Sequence, residues 1–307
     1  MPQGAPTGWR LWWLGARPRT LPAAIAPVVV GTAAALGDGG DATGPDGVIW
    51  WRFVCALAVA VFVQVATNLA NDYSDGIRGT DDPEQRVGPP RLVGDGLATP
   101  GAVKRAMLVC FGLTLAAGTP LVLFVDWRLA LVGVAAVAAG WFYTGGANPY
   151  GYAGLGEAFV FVFFGLVATA GSAYVQTESV SATVWVAAAS MGCIATALLV
   201  VNNLRDIPGD TAAGKRTLAV RIGDRATRGL YVVLLVSAFV LVPVMVATGA
   251  SPLVALALIG VVMARRPVLA VLSGALGAAL VPVLVDTGRI QMVFGVLAAV
   301  GLIVTAT

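Results

Sequence analysis

Two short acidic stretches stand at the ends of long apolar segments and carry the side chains best suited to chemistry. The first runs Asn68-Leu-Ala-Asn-Asp-Tyr-Ser-Asp75 and closes the apolar segment 53–67. On a helix, Asn68, Asp72 and Asp75 share one face, because they are separated by four and then three residues. The second stretch carries Asp206 and Asp210, again four residues apart and again after an apolar run. Ionisable groups at a membrane segment are costly and indicate function, so the two stretches predict one shared site.

The carboxylates of this predicted site favour a hard cation. They are Asp72, Asp75, Asp81, Asp206 and Asp210. Oxygen ligands without His or Cys select Mg²⁺ over zinc, and Mg²⁺ completes its shell with water and substrate phosphates. The adjoining loops supply basic residues that suit phosphate oxygens, namely Arg78, Arg86, Arg91, Arg205, Lys215 and Arg221. This combination predicts a diphosphate site at a membrane surface, with a lipid ligand whose chain enters the helix bundle.

Composition indicates a polytopic membrane protein. Of the 307 residues, 58% are hydrophobic and 11% are charged, and the mean hydropathy is +0.85, whereas a soluble domain is about a quarter charged. The chain has no histidine, which excludes Ser/His/Asp triads, His-ligated zinc and haem ligation through His. Its three cysteines lie singly in apolar segments, where they are typical packing residues rather than disulfide partners or metal ligands.

The apolar pattern predicts an all-α fold, a bundle of nine transmembrane helices around a central cavity in a single domain, 1–307. A span needs about 20 apolar residues, and segments of this kind lie near 20–37, 50–72, 103–125, 128–144, 155–176, 182–204, 227–248, 251–264 and 289–306. The Gly-rich segment 268–285 is predicted to lie in the interface. The basic, Trp-rich segment 1–19 is predicted to be an interfacial helix.

Basic residues fix the orientation of this scheme. With a cytoplasmic amino end, all but Arg52 and Arg128 of the 19 Lys and Arg fall on the inner side, as the positive-inside rule requires. Both acidic stretches then face the cytoplasm, in the plasma membrane.

Several motifs together resemble a known family. The pattern Asn68-x-x-Asn-Asp-Tyr-x-Asp-x-x-x-Gly-x-Asp81, with the later Asp206-x-x-x-Asp210, is similar to the paired signature of the UbiA superfamily of intramembrane aromatic prenyltransferases. Further pieces, among them Tyr143-Thr-Gly-Gly-x-x-Pro-Tyr150 and Gly154-Leu-Gly-Glu157, resemble the branch that acts on 1,4-dihydroxy-2-naphthoate. Where the superfamily often has a third Asp, this chain has Gly79, with Asp81 two residues further on.

The resemblance implies transfer of a polyprenyl group from polyprenyl diphosphate to 1,4-dihydroxy-2-naphthoate. In this reading Mg²⁺ held by the acidic residues bridges the diphosphate, and Lys215, Arg91 and Arg221 neutralise its charge. Tyr143 shields the allylic cation, although a tyrosine at a span's end is also typical of an interfacial belt. The wider substrate-binding set comprises Gln64, Asn68, Asn71, Arg78, Arg91, Asn203, Lys215 and Arg221. Gln64 has the alternative role of an interhelical hydrogen bond.

The acceptor carries its own leaving group. Without histidine, and with the carboxylates committed to metal, a base for ring deprotonation is missing. Loss of the naphthoate carboxyl group as carbon dioxide removes that need and gives a demethylmenaquinol.

Two other functions stay open. One is a cation-coupled transporter, which would place its charges near the bilayer midplane, whereas the charges here lie at the inner rim. The other is a prenyltransferase on the same scaffold that uses another aromatic or polar acceptor. The expected partners are the two substrates and the lipid bilayer, with no nucleic acid.

Overall fold

The computed structural model describes residues 7–37, 47–80, 88 and 90–304. Ten main helices form in these residues, in keeping with the predicted all-α class. They are α1 Trp9–Ala16, α2 Pro22–Gly37, α3 Trp50–Arg78, α4 Pro100–Phe124, α5 Leu129–Phe142, α6 Gly156–Thr177, α7 Ala182–Ala212, α8 Leu218–Ala247, α9 Pro252–Leu272 and α10 Leu280–Ile303. Short 3₁₀ turns lie at Pro18–Thr20, Tyr150–Ala153 and Gly277–Ala279, and α6 contains a π-helical stretch at Phe161–Val167.

Seven of the described helices are long and apolar enough to cross a bilayer, so the protein is a multi-pass membrane protein. They are α3, α4, α6, α7, α8, α9 and α10 with the turn before it. An eighth span results if α1 and α2, which meet at 56°, form one broken helix. The predicted span 128–144 corresponds to α5, whose 14 residues extend about 21 Å. That is shorter than a hydrocarbon core of roughly 30 Å.

The largest difference from the predicted boundaries lies near the carboxyl end. Segment 268–285 was expected to be one interfacial segment, and this is wrong: α9 continues to Leu272, a turn follows, and α10 begins at Leu280. Gly274 and Gly277 make this turn with φ of 88° and 52°, a region that favours glycine. The predicted spans 251–264 and 289–306 are therefore too short at the ends that face each other. The uncharged sequence of 268–285 gives hydropathy no step by which to locate the turn.

Glycines bring several helices into backbone contact. A Cβ atom on Gly31 of α2 would lie 2.0 Å from the carbonyl oxygen of Thr169 in α6. Gly165 of α6 meets Gly192 of α7 in the same way, with 2.3 Å between the added Cβ and the Gly192 Cα. Gly301 of α10 meets the start of α9 at 2.3 Å. Small residues at helix crossings allow this approach in membrane proteins, so α2, α6, α7, α9 and α10 form one closely packed group.

A second part of the bundle packs through bulky side chains. Leu69 of α3 packs in a separate buried cluster with Met107 and Phe111 of α4. On α5 only Ala139 and Gly140 are buried. The helices α3, α4 and α5 thus form a second wall, in which α3 and α4 pack through bulky side chains rather than through glycines.

The two acidic stretches come to the same end of the bundle because each forms the last turns of a long helix. The first ends α3 and the second ends α7. The turn after α7 contains Lys215, and the connection between α5 and α6 contains Tyr152.

Candidate active site

A cavity of about 1030 Å³ lies between the two groups of helices. At one end its wall is polar, with Asn68, Asn71, Asp75, Arg91, Tyr143, Asn202, Asn203, Asp206, Asp210 and Lys215. Further along it is apolar, with Ala56, Val59, Val132, Phe163 and Val167 among the lining residues. One charged end and one long apolar end suit an amphiphile with a charged head and a hydrocarbon chain.

Asp75 is the carboxylate of α3 that faces this cavity. It is 5% exposed, forms an ion pair with Lys215 Nζ at 3.1 Å and accepts a hydrogen bond from the Tyr152 hydroxyl. Burial, followed by the charge of Asp75, raises the pKa of the Tyr152 phenol, so the phenol keeps the proton that it donates. The Lys215 ammonium also lies 4.8 Å from the centre of the Tyr152 ring, a cation–π distance.

Lys215 joins the acidic ends of α3 and α7. Its backbone N–H donates to the carbonyl of Asp210 at 2.8 Å, while its side chain reaches Asp75. Burial disfavours the ammonium form, but the charges of Asp75 and Asp210, together with Tyr152, outweigh this and raise the Lys215 pKa above its ordinary value. The group is therefore a fixed positive charge within the polar end of the cavity.

The two carboxylates of α7 have different partners. Asp206 accepts two hydrogen bonds from Arg205, at 2.7 and 2.6 Å, a bidentate pair of the strong, geometrically specific kind. Asp210 accepts a hydrogen bond from the Thr217 hydroxyl at 3.3 Å. Arg205 is 6% exposed and lines the cavity. In the sequence it was grouped only with the basic residues of the loops.

Asp72 does not line the cavity. Its two carboxylate oxygens accept hydrogen bonds from the backbone N–H groups of Leu92 and Val93, at 3.0 and 2.9 Å. Arg17 Nη2 lies 3.9 Å away, and the residue is 1% exposed. This carboxylate therefore holds the loop before α4 against α3.

The face of α3 that meets the cavity is the one through Gln64, Asn68, Asn71 and Asp75, with spacings of four, three and four residues. The sequence analysis predicted instead a face formed by Asn68, Asp72 and Asp75, which is the neighbouring row of side chains on the same helix. Both rows satisfy helical periodicity, and the rotation of α3 about its axis decides between them.

Gln64 and Asn68 line the cavity but also fasten the amino-terminal segment. Both side-chain amides donate to the Thr20 hydroxyl, each at 3.0 Å, and Asn68 donates to the Ala16 carbonyl at 3.0 Å. These bonds fix the break between α1 and α2, where Arg17 takes a left-handed conformation with φ of 51°.

Asn71, Arg78 and Arg221 all bind neighbouring loops. Asn71 accepts from the Thr144 hydroxyl at 2.9 Å and lines the cavity. Arg78 donates to the carbonyls of Thr144 and Gly146, and Arg221 donates to the Arg216 carbonyl at 2.9 Å. Neither arginine belongs to the cavity lining, although both were predicted to bind substrate.

Tyr143 lies in the cavity wall at the end of α5. Its ring meets Tyr150 edge to face, with 5.5 Å between ring centres, and Tyr150 stacks on Phe159 at 4.0 Å. The three rings present π surface between the polar and apolar parts of the cavity.

Glu157 is a functional candidate that the sequence suggested only as part of a longer motif. It is 6% exposed. Its Oε1 accepts from the Asn203 amide at 2.9 Å, and its Oε2 is buried without a hydrogen-bond partner among the described residues. Asn203 lines the cavity, so Glu157 orients one of the predicted substrate-binding side chains. The feature of the sequence that could have indicated Glu157 is its position as a lone carboxylate at the start of an apolar helix.

Asp81, predicted as a metal ligand, lies outside the described residues. Among those described, no three acidic, His or Cys side chains converge as a metal-binding group. Asp75, Asp206 and Asp210 nevertheless present only oxygen donors at one end of one cavity. This donor set fits Mg²⁺, which takes one or two carboxylates and leaves its other positions to water and phosphate.

The sequence is similar to a known protein family and to named bacterial proteins. The sequence model of the UbiA prenyltransferase family matches residues 24–272. A protein of Mycobacterium tuberculosis named 1,4-dihydroxy-2-naphthoate octaprenyltransferase is 48% identical over 288 residues, which cover 94% of this chain and 95% of the relative. A protein of the same name from Escherichia coli is 37% identical over 242 residues, covering 75% and 74%.

Two solved structures share the fold at low sequence identity. A UbiA homolog from Aeropyrum pernix K1 in its apo form superposes with a TM-score of 0.69 at 14% identity, covering 90% of this chain and 97% of that one. A UbiA homolog from Archaeoglobus fulgidus bound to GPP and Mg²⁺ superposes with a TM-score of 0.68 at 15% identity, covering 95% and 99%.

Proposed function

Because the chain belongs to the UbiA prenyltransferase family, we propose that it transfers a polyprenyl group from polyprenyl diphosphate to 1,4-dihydroxy-2-naphthoate. The acceptor is the one in the names of its relatives from two bacteria. The observation that carries the proposal is the single cavity with acidic and basic residues at one end and apolar residues along its length. Such a cavity matches a lipid diphosphate better than it matches a solute to be transported.

The diphosphate of the donor binds at the polar end. Lys215 and Arg91, which line the cavity there, donate to its oxygens and neutralise its charge. Asp75, Asp206 and Asp210 hold Mg²⁺, and Asp81 is a further predicted ligand. The metal, when bound, stabilises the negative charge of the departing diphosphate. That a protein of the same fold is bound to GPP and Mg²⁺ supports a prenyl diphosphate and Mg²⁺ as the ligands of this cavity.

Asp72 has a positioning role in this proposal. Its two hydrogen bonds to the backbone of Leu92 and Val93 support the loop that begins with Arg91. Arg78 and Arg221 likewise support the loops around the site.

Bond changes then balance without a protein base. The allylic C–O bond of the donor breaks and its electron pair leaves with diphosphate. The ring carbon that bears the naphthoate carboxyl group supplies the pair for the new C–C bond to the prenyl cation. The bond to the carboxyl carbon then breaks, its electrons restore the aromatic ring, and carbon dioxide departs. Tyr143 and its neighbouring rings provide a π surface for the cation, and the product is a demethylmenaquinol.

The arrangement in the membrane is also part of the proposal. A single domain, 1–307, spans the plasma membrane nine times, with α2 as the first span and α5 as the short fourth. The amino end and the active site face the cytoplasm. The support is that all but two of the 19 Lys and Arg fall on the inner side of this scheme. The segment 1–19 lies in the interface, where α1 exposes Trp9, Trp12 and Trp13.

The test is an acceptor panel. Purified protein receives one long-chain prenyl diphosphate, Mg²⁺, and in turn 1,4-dihydroxy-2-naphthoate, 4-hydroxybenzoate and homogentisate. The expected result is diphosphate release and a prenylated lipid with the naphthoate only. Equal or better turnover with another acid would show that the naphthoate is not the acceptor. Cation-coupled solute uptake without diphosphate release would show that the protein is a transporter and not a prenyltransferase.

A further inference from the structure

The apolar part of the cavity contains three glycines that leave open space where side chains could stand. Gly118 on α4, Gly133 on α5 and Gly171 on α6 all line the cavity. An added Cβ would meet nothing within 4 Å at Gly133 or Gly171, and at Gly118 only the edge of Val59 at 3.6 Å. We call these three residues the glycine girdle.

The girdle residues lie at a similar depth. Gly118 faces Val59, which is 16 residues before Asp75 on α3 and therefore about 24 Å from it along the helix. On α5, Gly140 meets Thr67, which lies about 12 Å from Asp75, and Gly133 is about 10 Å further. On α6, Gly171 is about 22 Å from Gly156, the residue that packs against Tyr143 at the polar end.

Beyond the girdle the cavity continues for about one more helical turn and then meets a polar closure. Ala56, Leu129 and Val175 line this last part. Arg52 Nη1 then donates to the Val175 carbonyl at 2.8 Å and pairs with Glu178 at 3.3 Å. An apolar chain that reaches this depth must pass between the three glycines.

We propose that the glycine girdle determines how long a prenyl chain the enzyme accepts. This inference rests on the proposed function, because the occupant is the hydrocarbon chain of the donor whose diphosphate binds about 22–24 Å away. Without side chains at three positions of similar depth, the cavity remains open to long donors. A large side chain at any one of them forms a floor, and donors shorter than that depth still bind.

The test compares two donors in wild type and Gly171→Leu, with 1,4-dihydroxy-2-naphthoate as acceptor. Geranyl diphosphate is the short donor and octaprenyl diphosphate the long one. We expect kcat/KM for the long donor to fall about tenfold or more, the loss that a single methylene misfit in an apolar pocket already causes. The value for the short donor should stay within about twofold of wild type.

Gly112→Leu is the matched control. Gly112 lies on α4 with nothing within 4 Å of an added Cβ, but it is outside the cavity lining, so its variant should keep the wild-type preference for donors. Gly133→Leu provides a second girdle variant should Gly171→Leu fail to fold, and Gly171→Ala should shift the preference less than the leucine.

The possible outcomes distinguish a failure of the girdle proposal from a failure of the proposed function on which it rests. A wild-type enzyme that transfers neither donor would overturn the proposed function. A wild-type enzyme that uses both donors, with girdle variants that lose both equally or lose neither, would overturn the girdle alone.

Discussion

Asp72→Asn and Asp75→Asn, made separately, should affect different properties of the protein: the first its stability and the second its turnover. Asp72 accepts backbone hydrogen bonds at 3.0 and 2.9 Å and is 1% exposed. Asparagine keeps one acceptor oxygen but turns an N–H donor toward the second backbone N–H. Loss of one charge-assisted bond and of satisfaction at the other N–H costs about 2–4 kcal/mol of folding free energy. Asp72→Asn should therefore lower the Tm while turnover at saturating substrate stays within about threefold of wild type.

Asp75→Asn should give the opposite pattern. Its carboxylate faces the cavity and pairs with Lys215 at 3.1 Å, so the substitution removes a proposed Mg²⁺ ligand and a partner of Lys215. We expect kcat to fall by about a hundredfold or more, the scale seen when a single group that stabilises transition-state charge is lost. The fold should persist because Tyr152 can still donate to the remaining amide oxygen.

The assay pairs diphosphate release, measured at saturating donor and acceptor, with thermal unfolding of the same detergent-solubilised samples. The reasoning fails if Asp72→Asn loses turnover as fully as Asp75→Asn while its Tm is unchanged. That pattern would return Asp72 to the metal site.

The remaining predictions concern charge, metal, leaving group and topology. Lys215→Met should reduce kcat about a hundredfold by leaving Asp75 without its cation, and Lys104→Met, a change at the only other lysine, should not; equal rates would remove Lys215 from the site. Chelation should abolish diphosphate release, and Mg²⁺ with donor should raise the Tm, whereas activity that survives chelation would contradict the metal assignment. With carboxyl-labelled naphthoate, label should leave as carbon dioxide in step with diphosphate, and label retained in the lipid would point to another acceptor. Single cysteines at Thr7 and Val304, after replacement of the three native cysteines, should label from opposite sides of the membrane; labelling from one side would rule out nine spans.

The sequence predicted the residues whose position depends only on where a long helix ends, and it failed for those whose position depends on how the helix is rotated. Asp75, Asp206, Asp210 and Lys215 come together as expected, because each follows or ends a long apolar helix and the chain alternates direction. Asp72 differs because helical spacing fixes neighbours on a surface but not which row turns toward the interior.

The long basic side chains were less predictable than the carboxylates. Arg78 donates to the carbonyls of Thr144 and Gly146 across a separation of more than sixty residues, and no local pattern records such a partner. The bond of Arg205 was missed for a different reason: its partner Asp206 is adjacent in sequence, but the bidentate pair depends on the side-chain rotamers, which no sequence pattern records. The helix ends around 268–285 were missed because a charge-free run carries no boundary signal.

The glycine contacts of the bundle imply an uneven tolerance to mutation. At Gly31, Gly165 and Gly301 even alanine would meet backbone atoms of another helix at 2.0–2.3 Å, and backbone cannot move aside as a side chain can. Random substitution across the chain should therefore find intolerant positions concentrated on α2, α6, α7, α9 and α10. Helices α4 and α5, whose glycines mostly meet open space, should accept many residues. Variation that adapts the enzyme to different lipids can accumulate on that wall while the opposite half of the bundle stays nearly fixed.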